Sequence, residues 1–104
     1  YAYVSGGGIS ITTDKGGLIA WYAVSGYNDS TSANIYWGLQ LDSATEVAVS
    51  QVTQNLSNQD YVYSGMYVWT SVSDAAHEIN VRFKVSAGTI NIRQGTLIVM
   101  EFDD

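Results

Sequence analysis

His77 is the only histidine of this 104-residue chain, and histidine is the side chain best suited to proton transfer near neutral pH. A Ser-His-Asp arrangement would require His77 to meet Asp74 or another acid, together with an activated serine. The sequence contains no nucleophile elbow, phosphate-binding glycine loop or HExxH zinc motif. We therefore predict that the protein is not an enzyme and uses no cofactor. We also predict that His77 is a solvated residue at the start of a strand, beside Glu78.

Carboxylate oxygens could instead bind calcium. The candidate ligands are the terminal pair Asp103 and Asp104 and the loop residues Asp29 and Asp42. Their spacing matches no calcium-binding loop, and surface acids that keep a protein soluble give a simpler explanation. We predict no metal site, with calcium held between converging loops as the alternative.

Aromatic residues fall on alternate positions between residues 61 and 69, which puts them on one side of a strand. They are Tyr61, Tyr63, Tyr67 and Trp69. Such a stripe can be an ordinary strand surface, since tyrosine favours strands and keeps its hydroxyl in water. It can also contact another subunit, or stack on the apolar faces of sugar rings with Tyr36 alongside. A sugar site needs polar groups beside the rings, and the sequence does not locate them.

Two glycosylation sequons occur, at Asn28 and at Asn55. Both fall in segments that we predict to be polar loops, where an attached sugar could reach water. In a chain rich in Ser, Thr and Asn such matches also arise by chance. We keep both asparagines as candidate glycosylation sites.

The charge balance excludes one class of partner. Ten acidic side chains stand against four basic ones, and the formal net charge is −6. No basic stripe is available for phosphates, so nucleic-acid binding is not expected. Only 13% of residues are charged, and uncharged polar groups must form most of the surface, which suits a secreted or virion-surface protein. No apolar run approaches the roughly 20 residues of a membrane span, so membrane insertion is not expected.

The elements that must position these side chains are predicted to be strands. Apolar and polar residues alternate throughout, proline is absent, and the breaks are clusters of Gly, Ser, Asn and Asp. The predicted strands cover residues 1–4, 9–13, 18–26, 34–42, 45–53, 60–73, 77–85, 89–93 and 96–102. We predict one all-β domain over residues 1–104, a single-domain antiparallel β-sandwich of the jelly-roll type with 8–10 strands.

Several predicted strands are apolar on both faces, whereas a sandwich of this size covers only one face of each strand. In residues 97–102, either Leu97 and Val99 or the alternate set from Ile98 to Phe102 could face the core. Uncovered apolar faces that lie together would exceed what a monomer normally exposes, so we predict self-association. The predicted subunit interface consists of Leu18, Tyr22, Tyr61, Tyr63, Tyr67, Trp69, Ile98, Met100 and Phe102.

The start of the chain has a separate predicted role. Three glycines at residues 6–8 form a candidate hinge, because consecutive glycines specify no conformation of their own. The strand before them consists of Tyr1, Ala2, Tyr3 and Val4. This strand could detach, over residues 1–5, and pair with an exposed sheet edge of the next subunit. Repeated head to tail, such a contact builds a filament. The alternative is a first strand that pairs within its own chain.

The last two-thirds of the chain resembles the jelly rolls of the tumour-necrosis-factor and complement-globular-head type, as found in phage structural proteins and secreted proteins. The matching segments are LIAWYAVSGYN, NIYWGLQLD and the closing run HEINVRFKVSAGTINIRQGTLIVMEF. The resemblance implies a jelly roll that commonly forms trimers, with terminal strands near the shared axis and with binding or structural roles. It supplies no active site.

Together these features predict a non-enzymatic, self-assembling structural subunit of an extracellular filament or virion surface. Its partners would be copies of itself, in a trimer or a filament. The alternative function is a carbohydrate- or cell-surface-binding head domain, with a glycan as the ligand.

Overall fold

The fold is a sandwich of two antiparallel sheets. The computed structural model describes residues 1–4 and 7–104, and its strands are β1 (Ala2–Thr13), β2 (Gly16–Asn28), β3 (Ala33–Leu41), β4 (Val47–Gln54), β5 (Tyr61–Trp69), β6 (Ala75–Val85) and β7 (Ile90–Asp103). One sheet has the order β1-β6-β3-β4 and the other the order β5-β2-β7. Because every pairing is antiparallel, the predicted all-β antiparallel sandwich is confirmed.

The described chain forms seven strands where nine were predicted, because two glycine-containing breaks are β-bulges and not turns. In β1, Tyr3 pairs with Arg82 and Gly8 pairs with Asn80, so six residues of β1 are matched by three residues of β6. In β7, Gln94 and Ile92 pair with consecutive residues of β2. A bulge inserts extra residues into one strand and bends it, but the strand continues. Gly7 and Gly8 therefore belong to a bulged strand, and Gly6 of the predicted hinge lies outside the described residues.

The core lies between the two sheets. Its buried apolar residues are Leu18, Ala20, Tyr22, Val24, Ala33, Ile35, Trp37, Leu39, Tyr63, Ile79 and Val81. The Trp37 ring stands at the centre, with its centroid 5.0 Å from that of Tyr63 and 5.6 Å from that of Phe83. Burying a large apolar side chain of this kind stabilises the fold by about 1.5–3 kcal/mol.

The structure shows which face of each doubly apolar strand is covered. In β7, Leu97 and Val99 pack on the core, while Ile98 and Met100 are about half exposed, at 49% and 54%. Phe102 lies on the same outer side and is partly buried, because its ring lies over Gly17, where a Cβ atom would come within 2.5 Å of it. The predicted interface residues of β7 are thus on the outer surface, and their contact with a second copy stays a prediction.

Three predicted interface residues are instead in the core. Leu18, Tyr22 and Tyr63 are at most 2% exposed, so they are not available to another subunit. Strand β2 is apolar on both sides, and it is the even-numbered side that faces the four-stranded sheet. The aromatic stripe of β5 also points inward: Tyr61 and Trp69 pack against the core.

Tyr67 is the one residue of the β5 stripe with substantial exposure, at 37%. Its ring packs edge-on against Trp69, with the centroids 5.1 Å apart. The side of β5 that faces solvent carries Val62, Met66 and Val68, which are 42–75% exposed.

The first strand pairs within its own sheet. Ala2 lies opposite Phe83 and Tyr3 opposite Arg82, both on β6. This is the arrangement given above as the alternative to strand donation. Whether residues 1–5 detach and pair with another copy stays a prediction.

The finer family resemblance is not established by this architecture. A two-sheet sandwich is common to many proteins, and the tumour-necrosis-factor type of jelly roll stays a prediction. Within the described residues no helix is long and apolar enough to cross a membrane.

Candidate functional site

His77 is buried and not solvated as predicted. It is 9% exposed, its Nδ1 atom is 2.7 Å from Asp42 Oδ2, and its Nε2 atom is 2.8 Å from the carbonyl oxygen of Ser73. Carboxylate and carbonyl oxygens only accept hydrogen bonds, so both contacts are satisfied at once only when the ring is doubly protonated. The hydrogen bond to Asp42 raises the pKa of His77, and the same bond lowers the pKa of Asp42. The Ser73 hydroxyl lies 3.4 Å from Nε2, farther away than the carbonyl oxygen of the same residue, and Asp74 is not among the partners of the ring.

The acidic candidates each hold a loop or a chain end. Asp42 also accepts a hydrogen bond from the backbone of Glu78, at 2.9 Å. Asp29 accepts one from the backbone of Thr89 at 2.8 Å, and Asp104 one from the backbone of Ser71 at 2.8 Å. Asp103 is 3.8 Å from the ammonium of Lys15. No group of three or more His, Asp or Glu side chains that could hold a metal ion occurs in the described part of the chain.

The two sequons lie in different environments. Asn55 is exposed in the loop after β4, where modification stays a prediction. Asn28 is fully buried, and its Nδ2 atom donates to the carbonyl oxygen of Ala87 at 3.0 Å. Asn28 is therefore not accessible to a glycan, which corrects the prediction.

The side of the three-stranded sheet that points away from the core, here called the three-stranded face, carries apolar side chains that the core does not cover. Its apolar half is built by cross-strand neighbours on β5, β2 and β7. Ile19 of β2 lies between Val68 and Met100, and Trp21 lies between Met66 and Ile98. The apolar half consists of Ile19, Trp21, Met66, Val68, Ile98, Met100 and Phe102. Four of these residues lie on the edge strands and are 42–54% exposed: Met66, Val68, Ile98 and Met100.

The other half of the three-stranded face is polar. Tyr27 lies there beside Arg93, which in turn contacts Asp60. The guanidinium carbon of Arg93 is 4.9 Å from the Tyr27 ring centroid, and its Nε donates to Asp60 Oδ1 at 2.8 Å. The guanidinium of Arg93 on β7 thus contacts an aromatic side chain of β2 and a carboxylate of the loop before β5, which orients both the ring and the carboxylate.

A shallow depression of about 220 Å³ separates the two halves. Small side chains and the β7 bulge create it. Its lining consists of Ala23, Val24, Ser25, Val62, Gln94, Gly95 and Thr96. Its volume is below the roughly 300 Å³ of a typical drug-sized site, so it has room for about one sugar ring. Hydroxyl and amide groups of Ser25, Gln94 and Thr96 can both donate and accept hydrogen bonds.

Comparison with known proteins adds one finding. No protein-family model matches the chain, and no curated protein matches it. Among solved structures it is similar to the C-terminal domain of EclA, a sugar-binding protein. The two have a TM-score of 0.54 and 17% sequence identity, over 88% of this chain and 64% of that one. At this identity the likeness shows a shared β-sandwich fold alone. This chain thus spans less than two-thirds of the length of that neighbour.

Sequence reasoning placed the aromatic stripe of β5 on the outer side of the sheet, whereas the structure turns it toward the core. Tyr36, predicted beside the β5 stripe, lies on the four-stranded sheet next to Lys84. The residues that were missed are Ile19, Trp21, Met66 and Val68. The available signal was that β2 and β5 carry apolar residues on both sides, which made either side a candidate.

Proposed function

We propose that the protein binds carbohydrate at the three-stranded face, with Trp21 as the stacking residue. The observation that carries this proposal is the position of Trp21, two residues or about 7 Å along β2 from the depression. An aromatic ring beside a small cavity with a few oriented polar groups is the usual composition of a ligand site. The solved sugar-binding domain of the same fold supports this proposal over a purely structural role.

In this arrangement each part of the three-stranded face has a distinct task. The Trp21 ring packs on the apolar C–H face of a sugar, as aromatic rings do with apolar surface. Gln94, Thr96 and Ser25 bond its hydroxyls from the depression. Tyr27, held by Arg93 and Asp60, contacts a second sugar unit at the polar end. The proposed ligand is therefore an oligosaccharide that runs along β2.

Replacing Trp21 by alanine is expected to weaken binding of a neutral oligosaccharide at least tenfold, or about 1.4 kcal/mol. The neutral ligand is chosen from an array of uncharged oligosaccharides, and its affinity is measured by isothermal titration calorimetry. Leu56→Ala is the control, because Leu56 is 63% exposed in the loop after β4 and does not line the depression.

Equal binding by the Trp21 and Leu56 variants would contradict the site. Absence of binding across the whole neutral array would contradict the function. Circular dichroism on both variants shows whether they retain the fold, and Trp21→Phe keeps an aromatic ring if the alanine variant is unstable.

Self-association is a second proposed function, supported by the exposure of the apolar half. A typical stable interface covers about 800 Å² per partner, and apolar patches of a few hundred Å² on monomers already mark contact sites. In this proposal, two copies pair through Met66, Val68, Ile98 and Met100. The protein would then be a subunit of an extracellular or virion-surface assembly, as the uncharged polar composition favours.

Ile98→Glu is expected to convert a self-associated species to monomer, because it would bury a charge at the centre of the contact. Light scattering after size exclusion measures the change at micromolar concentration. Val49→Glu is the matched control, since Val49 and Ile98 are both 49% exposed and Val49 lies on β4 of the other sheet. A wild-type protein that is monomeric under these conditions would disprove self-association by this face.

A further inference from the structure

Among the described residues, Lys84 is the basic side chain that has no acidic partner within 4 Å. Lys15 lies 3.8 Å from Asp103, Arg82 lies 3.4 Å from Glu46, and Arg93 lies 2.8 Å from Asp60. Among the described residues no carboxylate oxygen lies within 4 Å of the Lys84 ammonium. In a chain with a formal net charge of −6, the exposed Lys84 ammonium is thus a positive charge that no carboxylate neutralises.

Two tyrosine rings flank the Lys84 ammonium on the outer side of the four-stranded sheet. The Nζ atom is 5.1 Å from the Tyr1 ring centroid and 4.8 Å from that of Tyr36. The register produces this contact directly, because Tyr36 of β3 lies opposite Lys84 of β6. Cation–π contacts orient the ammonium, while its three N–H donors can still bond an anion.

Arg82 holds the first residues of the chain in place beside Lys84. It is largely buried, its Nη2 atom donates to the carbonyl oxygen of Tyr1 at 2.8 Å, and its guanidinium carbon is 4.2 Å from the Tyr3 ring centroid. Gly38 lies opposite Arg82 on β3, and a Cβ atom there would be 3.3 Å from the Cβ of Glu46. The missing side chain lets the Arg82–Glu46 pair cross β3, so Arg82 is neutralised and acts as a positioning residue.

We propose that Lys84, Tyr1 and Tyr36 form a second binding site, for a saccharide that carries a carboxylate or a sulfate group. Lys84 binds the anionic group, and the two tyrosines contact the sugar ring and its hydroxyls. The ammonium between two rings supplies one positive charge and aromatic surface together, which fits a single acidic sugar better than an extended polyanion. This site is on the opposite side of the sandwich from Trp21. The proposal for Lys84 can therefore be wrong while neutral sugars still bind at Trp21, and the Trp21 site can be wrong while Lys84 still binds an acidic sugar.

Lys84→Gln tests the proposal against Lys15→Gln, which removes the same charge from an exposed lysine paired with Asp103. Binding is measured by isothermal titration calorimetry with short oligogalacturonate, a sulfated heparin-derived oligosaccharide and an uncharged oligosaccharide. We expect the Lys84 variant to bind one acidic probe at least fivefold more weakly than wild type, and the Lys15 variant to stay within twofold. Affinity for that probe should also fall between low salt and 0.15 M salt.

The identity of the acidic probe that binds distinguishes a carboxylate ligand from a sulfate ligand. Three results would overturn the proposal: neither acidic probe binds, both lysine variants lose affinity equally, or Trp21→Ala weakens the acidic probe while Lys84→Gln does not. The last result would mean that acidic sugars use the three-stranded face.

Discussion

Replacing Gln54 by alanine is expected to lower the free energy of unfolding by about 3–5 kcal/mol, the largest effect expected of a polar substitution in this chain. Gln54 is fully buried at the end of β4. Its Oε1 atom accepts from the backbone N–H of Asn28 at 3.3 Å, and its Nε2 atom donates to the carbonyl oxygens of Asn28 and Ser30 at 2.7 and 2.9 Å. One side chain therefore satisfies three backbone groups of the β2–β3 connection.

The cost is high because both bonds to the backbone of Asn28 are buried, although the Asn28 carbonyl oxygen also accepts from the backbone N–H of Asn58 at 2.8 Å. A buried donor or acceptor left without a partner costs about 1–3 kcal/mol. Asn28 cannot turn to replace Gln54, since its own side chain bonds Ala87 and accepts from the backbone of Ser30 at 2.8 Å. The loss would loosen the loop that follows β2 and, with it, the orientation of Tyr27.

Urea unfolding monitored by tryptophan fluorescence measures the change. Gln51→Ala is the matched control, because Gln51 lies on the same strand with its side chain exposed, and substitutions of that kind stay within about 0.5 kcal/mol. A Gln54 variant less than 1 kcal/mol below wild type would disprove the role assigned to its amide.

His77 is expected to make stability depend on pH in the direction opposite to that of an ordinary buried histidine. Its pKa is raised above the ordinary 6.5 by Asp42 and Ser73. A raised pKa in the folded state means that its stabilising contribution is complete below pH 6.5 and is lost as pH rises through the folded-state pKa. The lowered pKa of Asp42 means that its contribution is present above 3.8 and is lost as pH falls through the folded-state value.

The His77–Asp42 pair should therefore stabilise the fold most between about pH 4 and 6.5. Asp42 is half exposed, with 49% of its side chain accessible, so solvent screening limits the effect to about 1 kcal/mol. The difference in Tm between wild type and His77→Gln, recorded from pH 4 to 9, should be largest in that window and narrow above it.

Asp42→Asn provides the independent variant. It keeps a side-chain oxygen for the backbone of Glu78 but removes the charge that favours the imidazolium, so its Tm difference from wild type should also narrow at high pH. A Tm difference that does not change with pH for either variant would mean that His77 is neutral in the folded protein. The pair joins the turn after β3 to the start of β6, so its loss would affect that end of the sandwich first.

Strands β3, β5 and β6 show how much of the fold and of the site can be predicted from the sequence. In β3 and β6 one side is apolar and the other polar, so the inward direction of Ile35, Trp37 and Ile79 follows from alternation alone. In β5 the alternation was read correctly, but the aromatic side was assigned to a partner or a ligand. The structure turns that side inward, where Tyr63 packs on Trp37.

By itself the sequence determined the fold class and the core faces of β3 and β6. It also showed that β2 and β7 are apolar on both faces, although a sandwich of this size covers only one face of each strand. Tertiary structure alone decided which face of these strands is buried. A strand that is apolar on both sides has no local preference for burying either face, and only packing against the opposite sheet creates that preference. The same holds for Gln54 and Asn28, whose amides look like loop polarity in the sequence. Burial becomes favourable for them only when distant segments bring their hydrogen-bond partners together.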